Sequence, residues 1–201
     1  MTSATEAVER ARLYLDSEDA AEGQALLEEL GGYEGDFAAI VERLKPVLPD
    51  KVEKGLILNR HFRVPGLCKK HPDDLMSLYV PEDYNAEQAR GFVLFLHGGG
   101  QAVARDAGSK VFDEGYGISD LLMESGFVVC APCAPYHEQS FNGWNVPDTD
   151  AYVMDVIEEV AHSYNIDPDR VFLAGTSMGG IGANHLAHRM PDRFAGVLSA
   201  A

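Results

Sequence analysis

The stretch Asp169-Arg-Val-Phe-Leu-Ala-Gly-Thr-Ser-Met-Gly179 decides the fold of this sequence. Its first half is an apolar run of β-forming residues, which predicts a buried strand. After Met178 the pattern becomes helical and ends at Pro191. A strand, a tight turn on a serine and then a helix predict a nucleophile elbow, with Ser177 in a strained backbone conformation at the helix N-terminus. The alternative is a glycine-rich turn that merely packs closely.

A second signal is the glycine loop His97-Gly-Gly-Gly100, which follows an apolar strand predicted over 91–96. Acyl transfer requires N–H donors aimed at the developing oxyanion, and a glycine loop can expose such groups. We therefore predict an oxyanion hole formed by the backbone N–H groups of Met178, Gly98 and Gly99. The loop lacks the Gly-Lys-Ser/Thr continuation of a phosphate loop. His97 is interpreted as a residue that holds the loop rather than as a base.

Further along the chain, alternation over 56–64 and 74–80 predicts an antiparallel hairpin. Later elements are predicted to alternate, with strands over about 127–131 and 195–199 and helices over about 118–124 and 150–164. This pattern predicts an α/β fold with a mostly parallel sheet and helices on both faces.

Several segments together resemble the α/β-hydrolase superfamily. They are Tyr79–Tyr84, Phe95–Gly100, Tyr164–Val171, Gly175–Gly180 and Pro191–Gly196. The sequence is most similar to the branch of polyhydroxybutyrate-depolymerase-like, feruloyl-type and prolyl-oligopeptidase-like enzymes, from about Gly55 to Ala201. The resemblance implies a serine hydrolase that cleaves a carboxylic ester, or a peptide bond, through an acyl-enzyme on Ser177. It implies a small-molecule ester or short peptide as substrate, and neither a metal nor an organic cofactor.

The partners of Ser177 are not evident in the sequence. A serine needs a base, and this fold usually presents serine, acid and histidine in that order, which places the last two after Ala201. His185 and His188 follow on the serine's own helix, ~12 and ~16 Å along its axis, too far for direct proton transfer. We therefore expect the front portion of a longer hydrolase, whose sheet lacks its last strands. A non-catalytic binding module and an enzyme completed by a second polypeptide are the alternatives.

The loop from Pro132 to Asp148 is a candidate pocket wall, because ligands of open α/β sheets bind beyond the carboxyl ends of strands. Tyr136 and Trp144 in this loop, together with His97, are predicted to line the substrate pocket. The alternative is a surface loop that its aromatic side chains fasten to the body of the protein.

Residues 1–50 are predicted to form an acidic helical segment, and residues 51–201 the catalytic domain. The first segment holds 12 Asp/Glu and 4 Lys/Arg. Ser3 and Glu6 form a capping-box pattern at the start of a helix to about Leu15, and further helices are predicted over about 18–30 and 36–45. Their apolar stripes indicate either a small bundle or a docking or lid module for a protein partner.

The composition excludes some functions. A net charge of −16 disfavours binding to nucleic acid and to anionic membranes. The N-terminus has no signal-peptide pattern and no segment suits a bilayer span, so we expect a cytoplasmic protein. Cys130 and Cys133 are interpreted as reduced cysteines near the core, because no second pair or matching histidines indicate a metal site.

Overall fold

The structure, a computed structural model, describes residues 2–17, 19–44, 48, 51–99, 105–113, 116–135, 143–146 and 148–200. The chain divides into two compact units, residues 1–47 and 48–201. Each unit has a hydrophobic core of its own. No helix in the described ranges is long and apolar enough to cross a membrane.

The described residues of the first unit form three helices, α1 (Ala4–Asp16), α2 (Ala20–Leu30) and α3 (Phe37–Leu44). The predicted capping box is confirmed: the Glu6 N–H donates to the Ser3 hydroxyl and the Ser3 N–H donates to the Glu6 carboxylate. The hydrogen bond from the Ser3 N–H is the main reason why the pKa of Glu6 is lowered. The α2 helix begins at Ala20 because Asp19 caps it, accepting from two N–H groups of the first turn.

The apolar stripe of α3 is only partly buried. Ile40 is 3% exposed and packs with Ala7, Val8 and Ala11 of α1. Phe37 and Val41, which the sequence places on the same stripe, are exposed. The stripe therefore forms the core of this unit only on its Ile40 side.

The second unit contains six strands and four α-helices among its described residues. The strands are β1 (Gly55–His61), β2 (Leu75–Val80), β3 (Arg90–Leu96), β4 (Val128–Pro132), β5 (Ile166–Thr176) and β6 (Gly196–Ala200). The helices are α4 (Pro65–Lys70), α5 (Ser119–Glu124), α6 (Thr149–Ala161) and α7 (Met178–Arg189). Short 3₁₀ helices cover Ala107–Phe112 and Pro191–Arg193.

The strands form one sheet in the order β1-β2-β4-β3-β5-β6. The β1/β2 and β2/β4 pairs are antiparallel, whereas β4, β3, β5 and β6 run parallel to one another. This arrangement confirms the predicted α/β class with an initial hairpin and a mostly parallel sheet.

Both faces of the sheet are covered, as β3 illustrates. Phe92, Leu94 and Leu96 belong to a core cluster shared with α6 and α7. Val93 and Phe95 point the other way, into a cluster shared with α5 and the 3₁₀ helix over 107–112. Every one of these side chains is buried. A strand buried on both faces explains why β3 reads as a continuous apolar run rather than as an alternation.

The predicted strand over 56–64 ends early, at His61. The N–H groups of Arg63 and Val64 donate to one carboxylate oxygen of Glu159, at 2.9 and 2.7 Å, instead of to a neighbouring strand. Pro65 then begins α4, a helix that the sequence did not predict. The other oxygen of Glu159 pairs with Arg60 at 3.0 Å in the interior.

Candidate active site

Ser177 lies at the junction of β5 and α7 in the geometry of a nucleophile elbow. Its backbone has φ 52° and ψ −120°, a conformation that costs energy for a residue with a Cβ atom. The side chain is exposed. Its N–H donates to the Ala200 carbonyl at 2.6 Å, which joins the elbow to the end of β6. The turn thus presents the hydroxyl to solvent while the backbone around it is fixed.

Two glycines allow this turn to pack so closely. A Cβ atom at Gly175 would clash with the carbonyl oxygen of Gly179, across the elbow. A Cβ atom at Gly179 would clash with the carbonyl oxygen of Leu96, at the end of β3. The small residues of the pattern therefore bring α7 directly against the strand that carries the glycine loop.

The glycine loop lies close beside the elbow. A Cβ atom built on Gly98 would lie 3.3 Å from the Ser177 Cβ atom and 3.3 Å from the Thr176 carbonyl oxygen. Met178 is the first residue of α7, where backbone N–H groups have no partner within the helix. Within the described ranges, neither the Met178 nor the Gly99 N–H donates to an acceptor. These two N–H groups are the best candidates to bind an oxyanion.

The N–H of Gly98 is engaged elsewhere. It donates to the phenol oxygen of Tyr116 at 3.1 Å. The same phenol oxygen lies 2.8 Å from the hydroxyl of Thr176, the residue before the nucleophile. Gly98 therefore does not present a free N–H in this structure, and its predicted role as a donor would require Tyr116 to turn away.

His97 holds the loop through both ring nitrogens. Its Nε2 accepts the N–H of Ala134 at 3.0 Å, and its Nδ1 lies 2.9 Å from the Gly98 carbonyl oxygen. Accepting at Nε2 places the ring proton on Nδ1, which donates to Gly98. The ring is 2% exposed, and burial lowers the pKa of the imidazole. A neutral histidine with both nitrogens engaged is a structural residue, as the sequence indicated.

Trp144 supports the same loop from the side of α7. Its indole N–H donates to the His97 carbonyl oxygen at 2.9 Å, and the two rings meet edge to face at 5.3 Å. The Trp144 side chain is fully buried. Since neither His97 nor Trp144 faces solvent, their predicted place in a substrate pocket has no support here and stays a prediction. Tyr136, the third predicted pocket residue, lies outside the described residues.

An open groove of about 370 Å³ lies beside the C-terminal half of α7. It is lined by Asn145, Val146, Asp148, Asp150, Ala151, His185 and Arg189. Arg189 forms an ion pair with Asp150 across it. His185 thus faces this groove, about two helical turns beyond Ser177 along α7.

No base for Ser177 is found in the described part of the chain. There, no histidine or carboxylate forms a hydrogen bond with the Ser177 hydroxyl. His188 bonds the Asn184 carbonyl of its own helix through Nδ1. The described residues also contain no group of three or more His, Cys, Asp or Glu side chains suited to a metal ion. Cys68, Cys130 and Cys133 are free thiols, and burial raises the pKa of Cys133 to about 12.

Comparison with known proteins places this geometry in a family. The sequence model described as "Putative esterase" matches residues 75–201, which include both the glycine loop and the elbow. The chain belongs to this esterase family. "Putative esterase NocK" of Nocardia uniformis subsp. tsuyamanensis is 31% identical to this family member in an alignment of 177 residues that covers 82% of this chain. The chain spans 46% of the length of that relative.

Solved structures support the fold of this esterase-family chain. S-formylglutathione hydrolase from Staphylococcus aureus matches with a TM-score of 0.52 and 20% identity, over 76% of this chain and 60% of that one. A ferulic acid esterase matches with a TM-score of 0.50 and 20% identity, over 73% and 59% of the two chains. At such identities the likeness concerns the α/β fold alone.

Sequence reasoning located Ser177 and the glycine loop of this esterase-family chain but missed Tyr116 and Thr176. Thr176 lies inside the elbow pattern, yet a threonine at a strand end has many possible roles. Tyr116 follows the loop by almost twenty residues and belongs to no motif. Only the packing of its ring against Phe95, with the centroids 5.9 Å apart, brings its hydroxyl to the site.

Proposed function

We propose that this chain carries the nucleophile and the oxyanion hole of a serine esterase that acts on a small-molecule carboxylic ester. The observation that carries the proposal is the exposed Ser177 at φ 52°, at the start of α7 and close beside the glycine loop. A strained serine with free N–H donors beside it is the arrangement that acyl transfer requires. Membership of the esterase family favours an ester over the peptide bond that the sequence left open.

In the proposed reaction the Ser177 oxygen forms a bond to the acyl carbon as its proton passes to a general base. The N–H groups of Met178 and Gly99 stabilise the tetrahedral oxyanion. The alcohol then leaves with a proton from that base, and water hydrolyses the acyl-enzyme by the same steps in reverse. The base and its acidic partner are proposed to come from outside the described residues or from a second polypeptide.

A fluorophosphonate probe tests the nucleophile directly, because it phosphonylates only an activated serine. We expect the natural full-length protein to gain one adduct by intact mass and to hydrolyse p-nitrophenyl acetate. Ser177→Ala should abolish both the adduct and turnover, whereas the matched control Ser163→Ala, at a partly buried serine just after α6, should retain them.

Two results would contradict the proposal. An adduct that persists in Ser177→Ala would place the nucleophile elsewhere. A folded full-length protein that takes no adduct and turns over no ester would favour the non-catalytic binding module. If activity appears only after a second polypeptide co-purifies, the enzyme is completed by a partner.

A further inference from the structure

We propose that Tyr116 is a positioning residue of this site, whose hydroxyl fastens the oxyanion loop to the nucleophile elbow. Because the Gly98 N–H donates to Tyr116, it is not available to the oxyanion. The Gly99 and Met178 N–H groups are then the pair of donors that remain for the oxyanion. The inference rests on the proposed function of Ser177 and assigns the role of residues around it.

The phenol oxygen of Tyr116 bonds one residue on each side of the reacting centre. It accepts the Gly98 N–H at 3.1 Å and lies 2.8 Å from the Thr176 hydroxyl. The phenol oxygen accepts a hydrogen bond from the Gly98 N–H. The phenol's own proton is therefore available to donate to the Thr176 hydroxyl oxygen. One hydroxyl therefore links the loop after β3 to the residue that precedes Ser177.

The packing of the Tyr116 ring fixes the position of that hydroxyl. The ring meets Phe95 edge to face, with centroids 5.9 Å apart and an interplanar angle of 78°. Phe95 is fully buried in β3, and Tyr116 packs against the core cluster on that face of the sheet. Because the core holds the ring in place, its hydroxyl is a well-positioned hydrogen-bond partner for the loop.

Two carbonyl groups of the loop are also engaged. The His97 carbonyl accepts from Trp144, and the Gly98 carbonyl faces His97 Nδ1. Since the Gly98 N–H donates to Tyr116, the next N–H along the loop that could donate to an oxyanion is that of Gly99. Because even a Cβ atom added to Gly98 would lie only 3.3 Å from the Ser177 Cβ atom, the loop is close to the nucleophile, and a small shift of the loop would move that donor relative to Ser177.

Tyr116→Phe removes the hydroxyl and keeps the ring, so it tests the fastening without opening the core. Hydrogen–deuterium exchange of the peptide that covers 97–99 should become faster in this variant of the full-length protein. For p-nitrophenyl acetate we expect the turnover rate to fall about 5- to 10-fold, the effect of losing one hydrogen bond, with KM little changed. Thr176→Val should produce a smaller change in the same direction.

The matched control is Tyr79→Phe, the same substitution at a tyrosine packed against the same core cluster. The proposal is overturned if Tyr116→Phe matches this control in loop exchange and in turnover rate. A loss of turnover of roughly 100-fold or more would also overturn it, because the hydroxyl would then be an oxyanion donor itself. If the wild-type protein takes no fluorophosphonate adduct, the proposed function fails, while the exchange comparison still decides whether Tyr116 fastens the loop.

Discussion

His97 shows how burial and hydrogen bonding decide what a residue beside a reacting centre can do. It directly precedes the glycine loop, yet its Nε2 lone pair is occupied by the Ala134 N–H and its Nδ1 proton by the Gly98 carbonyl. Burial also lowers the pKa of the imidazole from its ordinary value of 6.5. A group with no free lone pair and a low pKa cannot take the proton of Ser177.

The lowered pKa of His97 makes a contribution to stability that depends on pH. As pH falls below 6.5, the unfolded chain binds a proton at this histidine before the folded protein does. By linkage, the folded state therefore loses stability as pH falls from 6.5 toward the lower folded pKa. We expect His97→Asn to be less stable than wild type at pH 7.5 but to lose less stability between pH 7.5 and 5.5.

Urea unfolding followed by circular dichroism at the two pH values measures the difference. The exposed His162, at the end of α6, provides the matched control His162→Asn. Equal losses of unfolding free energy in wild type and His97→Asn between the two pH values would contradict the expectation.

At the scale of elements, the contact between α7 and β3 determines how the site is assembled. Gly179, on the first turn of α7, lies so close to the Leu96 carbonyl that a Cβ atom has no room. The helix N-terminus and the glycine loop after β3 are thereby brought together. The distance between the predicted donors Met178 and Gly99 is thus set by a backbone contact rather than by their own side chains.

Gly179→Ala should consequently be destabilising, by about 1–3 kcal/mol, the usual cost of overpacking a close contact. Gly66→Ala is the control, since Gly66 lies in α4 with open space around its Cα. There the better helix propensity of alanine should leave stability unchanged or raise it by up to ~1 kcal/mol. Chemical unfolding of both variants measures this, and equal stabilities would argue against the close contact.

The sequence predicted those elements whose signals are local. The capping box at Ser3, the elbow at Ser177 and the apolar run of β3 each contain their own start or stop signals. The α4 helix could not be predicted in this way, because the chain leaves β1 where two N–H groups donate to Glu159, 95 and 96 residues away. The same distinction applies to the candidate site. Ser177 and the glycine loop lie in local sequence patterns, whereas Tyr116 comes close to them only because its ring packs on Phe95.

At the scale of the whole molecule, the chain is built from two units with separate cores. The core of the first unit is small, consisting of Ala7, Val8, Ala11 and Ile40. The core of the second contains two clusters on opposite faces of the sheet. The sequence predicted a change from helical to alternating periodicity near residue 50, but it did not show which apolar side chains would remain exposed.

Because the two units have separate cores, a substitution that destabilises one unit need not destabilise the other. We expect Ile40→Ala to destabilise the first unit by roughly 2–5 kcal/mol, while the elbow keeps its rate of fluorophosphonate labelling. Calorimetry of the full chain should show one weakened transition, and the exposed Val41→Ala should change little. A common downward shift of all transitions would instead show that the chain unfolds as one unit.

Trp144 is the single tryptophan in these 201 residues. It lies buried against the imidazole of His97, and its indole N–H donates to the His97 backbone carbonyl. The tryptophan fluorescence of this chain therefore arises from one indole, which donates to the first residue of the glycine loop. Any event that shifts this loop or protonates the neighbouring imidazole will alter the emission. The chain thus contains an optical reporter beside Ser177, and the proposed acylation of Ser177 could be followed through it in real time without an added dye.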